Sequence, residues 1–401
     1  MKDNKFLKGF ILGILLTAVL GMGIYSLGIG SIGVRQQTAG EIRPDSRQAN
    51  EKIKVLKSLI DEQYLGEVDV NQLTESMYAG LINGLDDPFS RYFTEAEYQS
   101  MMETTEGSYK GIGVVMQQDS DTGLITVVRC YEGAPGAAAG ILPGDVIYKV
   151  DGEEVGDMEL SDVAAAIRSP DTKTVTLELI RDGEADYIEV EVTKEAVEIP
   201  AVSYEMLEEQ VGYIAIYEFT AVTPKQFEEA LSDLKAQGME KLVVDLRDNP
   251  GGLLTSVCEV LNNILAEELI VYTEDKNGNR EEVFSEGEAR LDIPLAVLVN
   301  GNSASASEIF AGAVQDYEIG TLVGTTTYGK GVVQKITQLS DGSAVKLTVS
   351  EYFTPKGRSI HETGITPDVE IELDETLKTE LTISKEEDNQ LQKALEILKE
   401  K

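Results

Sequence analysis

The sequence predicts a multidomain α/β protein with a membrane-spanning helix at its amino terminus. Strands and helices alternate between residues 211 and 323, which is typical of a layered α/β domain. Residues 105–195 contain short strands separated by Gly, Pro and Asp turns, and an uncharged run extends from Gly9 to Val34. A chain of 401 residues is long enough for two or three compact units.

The uncharged run follows three lysines, Lys2, Lys5 and Lys8. A helix over this run would be about 39 Å long, more than the roughly 30 Å hydrocarbon core of a bilayer. We therefore predict a cytoplasmic tail at residues 1–9 and a transmembrane anchor at 10–34. A cleaved signal peptide is the alternative, but no clear small-x-small cleavage site follows near Gln37. The lysines predict a cytoplasmic amino terminus and place the rest of the chain outside the cell membrane.

The overall charge restricts the partners of the chain. Its 34 basic and 71 acidic residues give a formal net charge of -37 at pH 7, which argues against a nucleic-acid partner. Cys130 and Cys258 are isolated, and the chain has one histidine, so we expect no metal site. Residues 324–331 resemble a phosphate-binding loop, but Gly331 stands where a magnesium-binding Ser or Thr is required, so we expect no nucleotide and no other cofactor.

After the anchor, residues 35–100 are predicted to form a linker and a helical module. Apolar residues recur at helical spacing between Ala49 and Ile60. A second helix is predicted from Val70 to Gly84, where Asn83-Gly84 is a suitable stop. This module is too small to bury much apolar surface by itself, so we expect it to pack on another part of the molecule or on a second copy.

Residues 101–195 are predicted to form a small, partly open barrel. One helix, Leu160 to Arg168, interrupts the strands. The predicted strands are Gly111–Gln117, Leu124–Arg129, Val146–Val150, Thr174–Ile180 and Tyr187–Thr193.

Residues 196–375 are predicted to form the α/β core, and residues 376–401 to end in an amphipathic helix with Leu391, Ala394, Leu395 and Leu398 on one face. The predicted core strands are Val211–Phe219, Lys241–Leu246, Leu295–Val299 and Leu322–Val323. The predicted helices are Pro224–Gln237, Leu253–Ala266 and Ser305–Val314. Parallel strands of this kind place functional groups at the strand ends.

The spacing of Ser305, Lys330 and Gln334 suggests a serine hydrolase that uses a lysine as its base. A lysine accepts a proton only when it is neutral, so burial or nearby positive charge must lower its pKa from about 10.4. Gly329 and Gly331 let the backbone approach closely on both sides of Lys330, which suits a compact site. Gln334 follows four residues later and lies on the same face of a strand, from where it can orient the amine.

Ser305 precedes a predicted helix, where the helix dipole favours a nucleophile. The backbone N–H of Ala306 can stabilise an oxyanion, and the turn at Gly251-Gly252 can supply a second donor. Ser303 and Ser307 are alternative nucleophiles, but on a helix they cannot point in the same direction as Ser305. His361 is predicted to be structural.

Together, the motifs at residues 303–308, 328–334, 248–252 and 354–361 resemble those of the C-terminal processing peptidases, also called tail-specific proteases. The resemblance covers residues 50–375. It implies Ser305 as nucleophile, Lys330 as general base and Gln334 as the residue that orients the lysine. It also implies an oxyanion hole formed by the amides of Gly251 or Gly252 and Ala306, and a PDZ domain inserted ahead of a crotonase-like (Clp protease/crotonase) protease core.

The PDZ interpretation also has local support. Gly111, Ile112 and Gly113 resemble the loop whose backbone N–H groups bind a peptide carboxylate. The resemblance places the peptide beside the helix Leu160–Arg168, with Val163 and Ile167 lining the pocket for its last side chain.

The predicted function is that of a membrane-anchored serine endopeptidase. It would bind protein or peptide substrates by their free C-termini and cleave them through an acyl-enzyme on Ser305. The alternative is a PDZ scaffold whose protease core is dispensable. The resemblance further implies a homodimer formed through the helical module and the C-terminal helix. Protein quality control, envelope maturation and cleavage in sporulation signalling all remain open as physiological roles.

Overall fold

The computed structural model describes residues 46–401, except residues 121, 379, 381 and 382. The predicted tail and anchor, residues 1–9 and 10–34, lie outside the described residues. Within the described part, no helix is both long and apolar enough to span a bilayer. The chain divides into two compact units, Met1–Asp69 and Val70–Lys401.

The described part of the first unit contains one long helix, α1 (Ser46–Gln63), which is longer at both ends than predicted. Its apolar residues Val55, Leu56 and Leu59 are all exposed. The second unit begins with α2 (Val70–Asn83), which ends at the predicted Asn-Gly stop.

The sequence did not predict the next two elements, β1 (Arg91–Phe93) and α3 (Glu95–Glu106). The Thr94 side chain caps α3 by accepting a hydrogen bond from the Glu97 amide, and the Glu97 carboxylate accepts one from the Thr94 amide. Helix α3 ends at Gly107 with a positive φ of 63°. It therefore crosses the predicted boundary between the helical module and the barrel.

The barrel contains a six-stranded sheet with the order β3-β4-β5-β7-β8, in which β6 also pairs with β5. Its strands are β3 (Val114–Gln118), β4 (Ile125–Cys130), β5 (Val146–Val150), β6 (Glu153–Glu154), β7 (Thr174–Ile180) and β8 (Ile188–Thr193). The short helix α4 (Pro135–Ala138) and the predicted α5 (Leu160–Arg168) accompany this sheet. A separate antiparallel pair, β2 (Ser108–Gly111) and β9 (Glu195–Glu198), joins the two ends of the barrel segment.

The core is built on a six-stranded sheet with the order β10-β11-β12-β15-β16-β19. Its strands are β10 (Val202–Met206), β11 (Val211–Ile216), β12 (Lys241–Asp245), β15 (Leu295–Val299), β16 (Thr321–Gly324) and β19 (Val369–Glu370). Within this sheet, neighbouring strands run parallel from β11 through β12, β15 and β16 to β19, as predicted for the core. The edge strand β10 is antiparallel to β11. One face packs against three helices, α6 (Thr223–Ala236), α7 (Leu254–Leu261) and α8 (Ala306–Asp316).

A second, five-stranded sheet lies beside this core and was largely missed by the sequence analysis. It consists of β1, β13 (Leu269–Asp275), β14 (Arg280–Phe284), β17 (Val332–Gln338) and β18 (Ala344–Phe353). Strand β17 begins two residues after Lys330, so this sheet positions the predicted base.

The C-terminal helix α9 (Asn389–Lys399) covers the other face of the core sheet. Its residues Leu391, Ala394 and Leu398 are at most 1% exposed and pack against strands of that sheet. The apolar face assigned to self-association is thus occupied within the chain, because the parallel sheet needs cover on both faces.

Candidate active site

Ser305 lies at the N-cap position of α8 with a backbone φ of 54° and ψ of -112°. This conformation is rare for a residue with a side chain, and backbone strain of this kind is concentrated at functional sites. The Glu308 amide donates to the Ser305 carbonyl oxygen at 2.9 Å, and Ser305 lines a cleft in the surface.

The carboxylate of Glu308, which is completely buried, holds this turn in place. It accepts a hydrogen bond from the Ser305 amide at 2.9 Å. It also accepts hydrogen bonds from the Gly329 amide at 2.7 Å, the Lys330 amide at 2.8 Å and the Thr327 hydroxyl at 2.6 Å. Burial raises the pKa of Glu308, and the four hydrogen bonds counter this effect. One buried side chain thus joins the segments that carry Ser305 and Lys330.

The Lys330 side chain is half-buried and lines the same cleft as Ser305. Its Nζ lies 5.1 Å from the centre of the Phe89 ring. Burial lowers the pKa of Lys330, and the positive charge of Lys346 lowers it further, while Glu308 acts in the opposite direction. These causes are the burial and the positive potential that the sequence argument required for a lysine base.

Tyr352 lies between these groups. Its hydroxyl donates a hydrogen bond to the carbonyl oxygen of Lys330. Burial, assisted by the charge of Glu308, raises the pKa of Tyr352 well above its usual value, and a hydrogen bond with the Ser305 side chain opposes this rise. The Ser305 hydroxyl is thus directed towards Tyr352, and no hydrogen bond joins it to Lys330.

Gln334 is half-buried and lines the cleft, but within the described residues it forms no hydrogen bond with the lysine amine. Its Nε2 donates to the Val332 carbonyl oxygen at 3.3 Å. A bulge between Val333 and Gln334 interrupts the β17–β18 register, so the simple rule that residues four apart share a strand face does not hold here.

The turn at residues 248–252 lies directly against Ser305. A Cβ atom on Gly251 would lie 2.7 Å from the Ser305 Cβ and 2.9 Å from the Ala306 nitrogen, so only glycine fits there. The Gly251 amide donates to Asn249 Oδ1 at 2.8 Å. Neither the Gly252 nor the Ala306 amide donates to any group of the described residues. Gly252 and Ala306 are thus the two amides free to bind an oxyanion.

The two alternative nucleophiles, Ser303 and Ser307, both use their hydroxyl groups in hydrogen bonds within the fold. Ser303 and Ser307 are completely buried. The Ser303 hydroxyl donates to the Leu246 carbonyl oxygen at 2.7 Å, and the Ser307 hydroxyl donates to that of Asn249 at 3.0 Å. These bonds fasten the serine segment to the end of β12 and to the turn at residues 248–252.

His361 supports the lysine segment from outside the cleft. Its backbone packs against Gly331, where a Cβ atom would lie 2.4 Å from the His361 nitrogen. The Glu362 amide, next in the chain, donates to the Gly329 carbonyl oxygen at 2.8 Å. His361 is not among the residues that line the cleft with Ser305 and Lys330.

The cleft itself has a volume of about 570 Å³. Much of its wall is apolar, which suits an extended peptide with uncharged side chains. The apolar side chains include Met101, Phe219, Leu254, Ile309, Val333 and Ile336. Two charged groups, Glu218 and Lys346, also line it.

A second groove, of about 330 Å³, lies on the barrel between β3 and α5. Ile112 and Ile167 line it together with Val114, Met116 and Ala164. Val163 does not line this groove. It is completely buried in the barrel core, because it lies on the face of α5 that packs against the sheet.

Part of the predicted carboxylate-binding loop, residues 111–113, is already used in strand pairing. Gly111 belongs to β2 and pairs with Glu195, whereas Gly113 has a φ of 70° in the turn before β3. The Tyr109 hydroxyl accepts a hydrogen bond from the Gly113 amide. Burial raises the pKa of Tyr109, and this hydrogen bond opposes the rise. The Arg168 guanidinium lies 5.6 Å from the Tyr109 ring centre.

Residues 210–371 match peptidase family S41, residues 126–181 match the PDZ domain, and residues 31–97 match the N-terminal domain of the activating protease CtpB. The carboxy-terminal processing protease CtpA of Bacillus subtilis is 35% identical over 380 residues, which cover 94% of this chain and 79% of the relative. The chain belongs to peptidase family S41.

Further relatives place this S41 chain among the carboxyl-terminal processing peptidases, which are serine-type peptidases with a PDZ domain. The carboxyl-terminal-processing protease of Synechocystis is 36% identical over 318 residues, covering 78% of this chain and 74% of the relative. The structure of a photosystem II D1 C-terminal processing protease is 30% identical, covers 82% of this chain and 88% of its own, and has a TM-score of 0.47.

Proposed function

We propose that this S41 peptidase is a membrane-anchored serine endopeptidase that binds substrate C-termini in its PDZ groove and cleaves them with a Ser305–Lys330 dyad. One observation carries the proposal. Ser305 and Lys330 line a single cleft, which is also lined by Gly252 and Ala306, whose amides donate to no group of the described residues.

The chemistry follows from these positions. Ser305 Oγ attacks the substrate carbonyl carbon while neutral Lys330 takes the hydroxyl proton. The amides of Gly252 and Ala306 stabilise the oxyanion, and protonated Lys330 returns its proton to the leaving amine. Water, activated by the same lysine, then hydrolyses the ester. The Ser305 hydroxyl must first leave Tyr352 and turn to Lys330, a rotation of the kind that substrate binding induces.

The role of Gln334 requires a similar rotation. Its Oε1 accepts no hydrogen bond within the described part of the chain, so it is available to the Lys330 amine. Rotation away from the Val332 carbonyl would let it fix the direction of the base.

Recognition of C-termini is supported by the PDZ groove and by the names of the relatives, which describe carboxyl-terminal processing. The anchor and the extracytoplasmic location rest on the sequence of residues 1–34. A homodimer through the helical module is consistent with the exposed apolar residues of α2, which include Met77, Tyr78 and Leu81.

The test uses the full chain and a fluorescently labelled unfolded protein as substrate. We expect Ser305→Ala and Lys330→Ala each to reduce kcat/KM by at least about 10³-fold while binding of a C-terminal peptide is retained. Lys335→Ala, which removes an exposed lysine from β17, is the matched control. Undiminished cleavage by Ser305→Ala would exclude the dyad, and undiminished cellular function of an inactive Ser305→Ala chain would favour the scaffold.

A further inference from the structure

Lys346 is a second lysine in the catalytic cleft. It lies on β18 opposite Ile336 of β17 and lines the cleft together with Ser305 and Lys330. Its side chain is half-buried, and its Nζ lies 5.4 Å from the Phe93 ring centre. A half-buried ammonium group in a cleft normally has a carboxylate partner.

No such partner is present for either lysine. Within the described residues, neither Lys330 nor Lys346 forms an ion pair, and each amine instead lies over a phenylalanine ring of residues 89–93. The absence of a counterion is unexpected in a chain with a net charge of -37. The carboxylates near these amines, Glu308 and Glu218, form no ion pair with either of them within the described residues.

A third positively charged side chain, that of Arg91, lies next to Lys346 in the sheet. Arg91 of β1 is the register partner of Lys346, and its guanidinium lies 5.0 Å from the same Phe93 ring. Arg91 is more exposed than Lys346 and pairs with Glu97 at 2.6 Å. The charge of Arg91 and burial both lower the pKa of Lys346, with burial the larger cause.

Like charges in one desolvated cleft disfavour each other's protonated form. The charge of Lys346 lowers the pKa of Lys330, whereas the charge of Glu308 has the opposite effect. On the opposite wall, Glu218 is half-buried, and burial raises its pKa. Tyr352, whose pKa is also raised, adds no negative charge near neutral pH.

We infer that Lys346 is a positioning residue for the reaction, whose positive charge keeps the neighbouring Lys330 amine unprotonated and able to act as the base. Lys346 does not touch the reacting atoms in this role. The inference rests on the proposed Ser305–Lys330 chemistry and adds to it a reason why Lys330 can be neutral in a half-exposed cleft.

The test is the pH profile of kcat/KM for the full chain, with the labelled unfolded protein as substrate. In Lys346→Gln, the positive neighbour is lost and the Lys330 pKa rises, so the acid limb moves to higher pH. Activity falls several-fold at pH 7 and recovers towards the wild-type value at alkaline pH. Lys346→Arg keeps the charge and restores the wild-type profile. Lys335→Gln removes the same charge from the exposed side of the hairpin and leaves the profile unchanged.

An acid limb that stays in place in Lys346→Gln overturns the inference. So does a loss of activity of equal size at every pH, which would indicate a structural role. Urea unfolding of each variant identifies a folding defect, and in that case Lys346→Met, which retains the apolar stem, gives the deciding profile. Ser305→Ala is measured in parallel. If Ser305→Ala is active, the proposed dyad is wrong. If Ser305→Ala is inactive and the pH profile of Lys346→Gln is unchanged, only the role of Lys346 is wrong.

Discussion

At the scale of single residues, Glu308 shows what the sequence could and could not reveal. The motif predicted Ser305 and Lys330 because a serine at a helix start and a glycine-flanked lysine each have a chemical meaning. Glu308, three residues after Ser305, has the spacing of a capping box and was the available signal. Its partners Thr327, Gly329 and Lys330 lie 19 to 22 residues away, so its role became visible only in three dimensions.

We predict that Glu308→Gln strongly reduces activity. A glutamine amide has one acceptor oxygen and two N–H donors, so it cannot accept from all four groups that now bind the carboxylate. The expected result is a loss of about 10²-fold in kcat/KM and of about 1–3 kcal/mol in the free energy of unfolding. Cleavage assays and urea unfolding measure both, with Glu259→Gln on the exposed side of α7 as control. Wild-type activity in Glu308→Gln would show that the Glu308 carboxylate is not needed to hold the Ser305 and Lys330 segments together.

At the scale of elements, the predicted and missed segments differ in their burial. The core strands β11, β12 and β15 are apolar runs buried on both faces, which a sequence reveals directly. Strand β14 is mostly charged and exposed, so it shows no apolar alternation. Strand β18 does alternate, with Val345, Leu347 and Val349 separated by polar residues, and this was a strand signal that the sequence analysis did not use. The C-terminal helix was predicted, but its partner was not, because amphipathicity identifies an apolar face and not the surface that covers it.

Helix α9 makes a testable contribution to stability. Leu398 is completely buried against the core sheet, so Leu398→Ala removes buried methyl groups and leaves a cavity. We expect a loss of about 2–5 kcal/mol, measured by urea unfolding. Glu396→Ala on the exposed side of the helix should change stability by less than about 0.5 kcal/mol. Equal effects of the two substitutions would show that α9 is not a structural part of the core.

At the scale of the whole molecule, the sequence predicted the order of barrel and α/β core, and membership of peptidase family S41 agrees with it. The groove and the cleft share no lining residue, although helix α3 contributes to both, through Ser100, Glu103 and Thr104 to the groove and through Met101 and Thr105 to the cleft. We therefore expect that mutations in the groove can change tail binding without changing the chemistry in the cleft. Val163 was misassigned because the helical pattern of α5 does not tell which of its apolar residues face the sheet and which border the groove.

Separate sites lead to a prediction about tail dependence. Met116→Glu places a charge in the apolar groove, where it should weaken binding of a peptide carboxylate and its last apolar side chain. We expect cleavage of a protein with an apolar C-terminus to fall about tenfold or more, while a short peptide that occupies only the cleft is cut at the wild-type rate. Leu124→Glu alters an exposed leucine outside the groove and is the control. Equal rates for both substrates in Met116→Glu would disprove the role of the groove.

The central claim, that Ser305 forms a covalent intermediate, is tested most directly by rapid acid quenching of the wild-type chain during turnover of an unfolded substrate. Peptide mapping by mass spectrometry then locates the acyl group. The account predicts an acyl adduct on the peptide that contains Ser305, and its absence in Ser305→Ala. An adduct on another residue, or continued cleavage by Ser305→Ala, would contradict it.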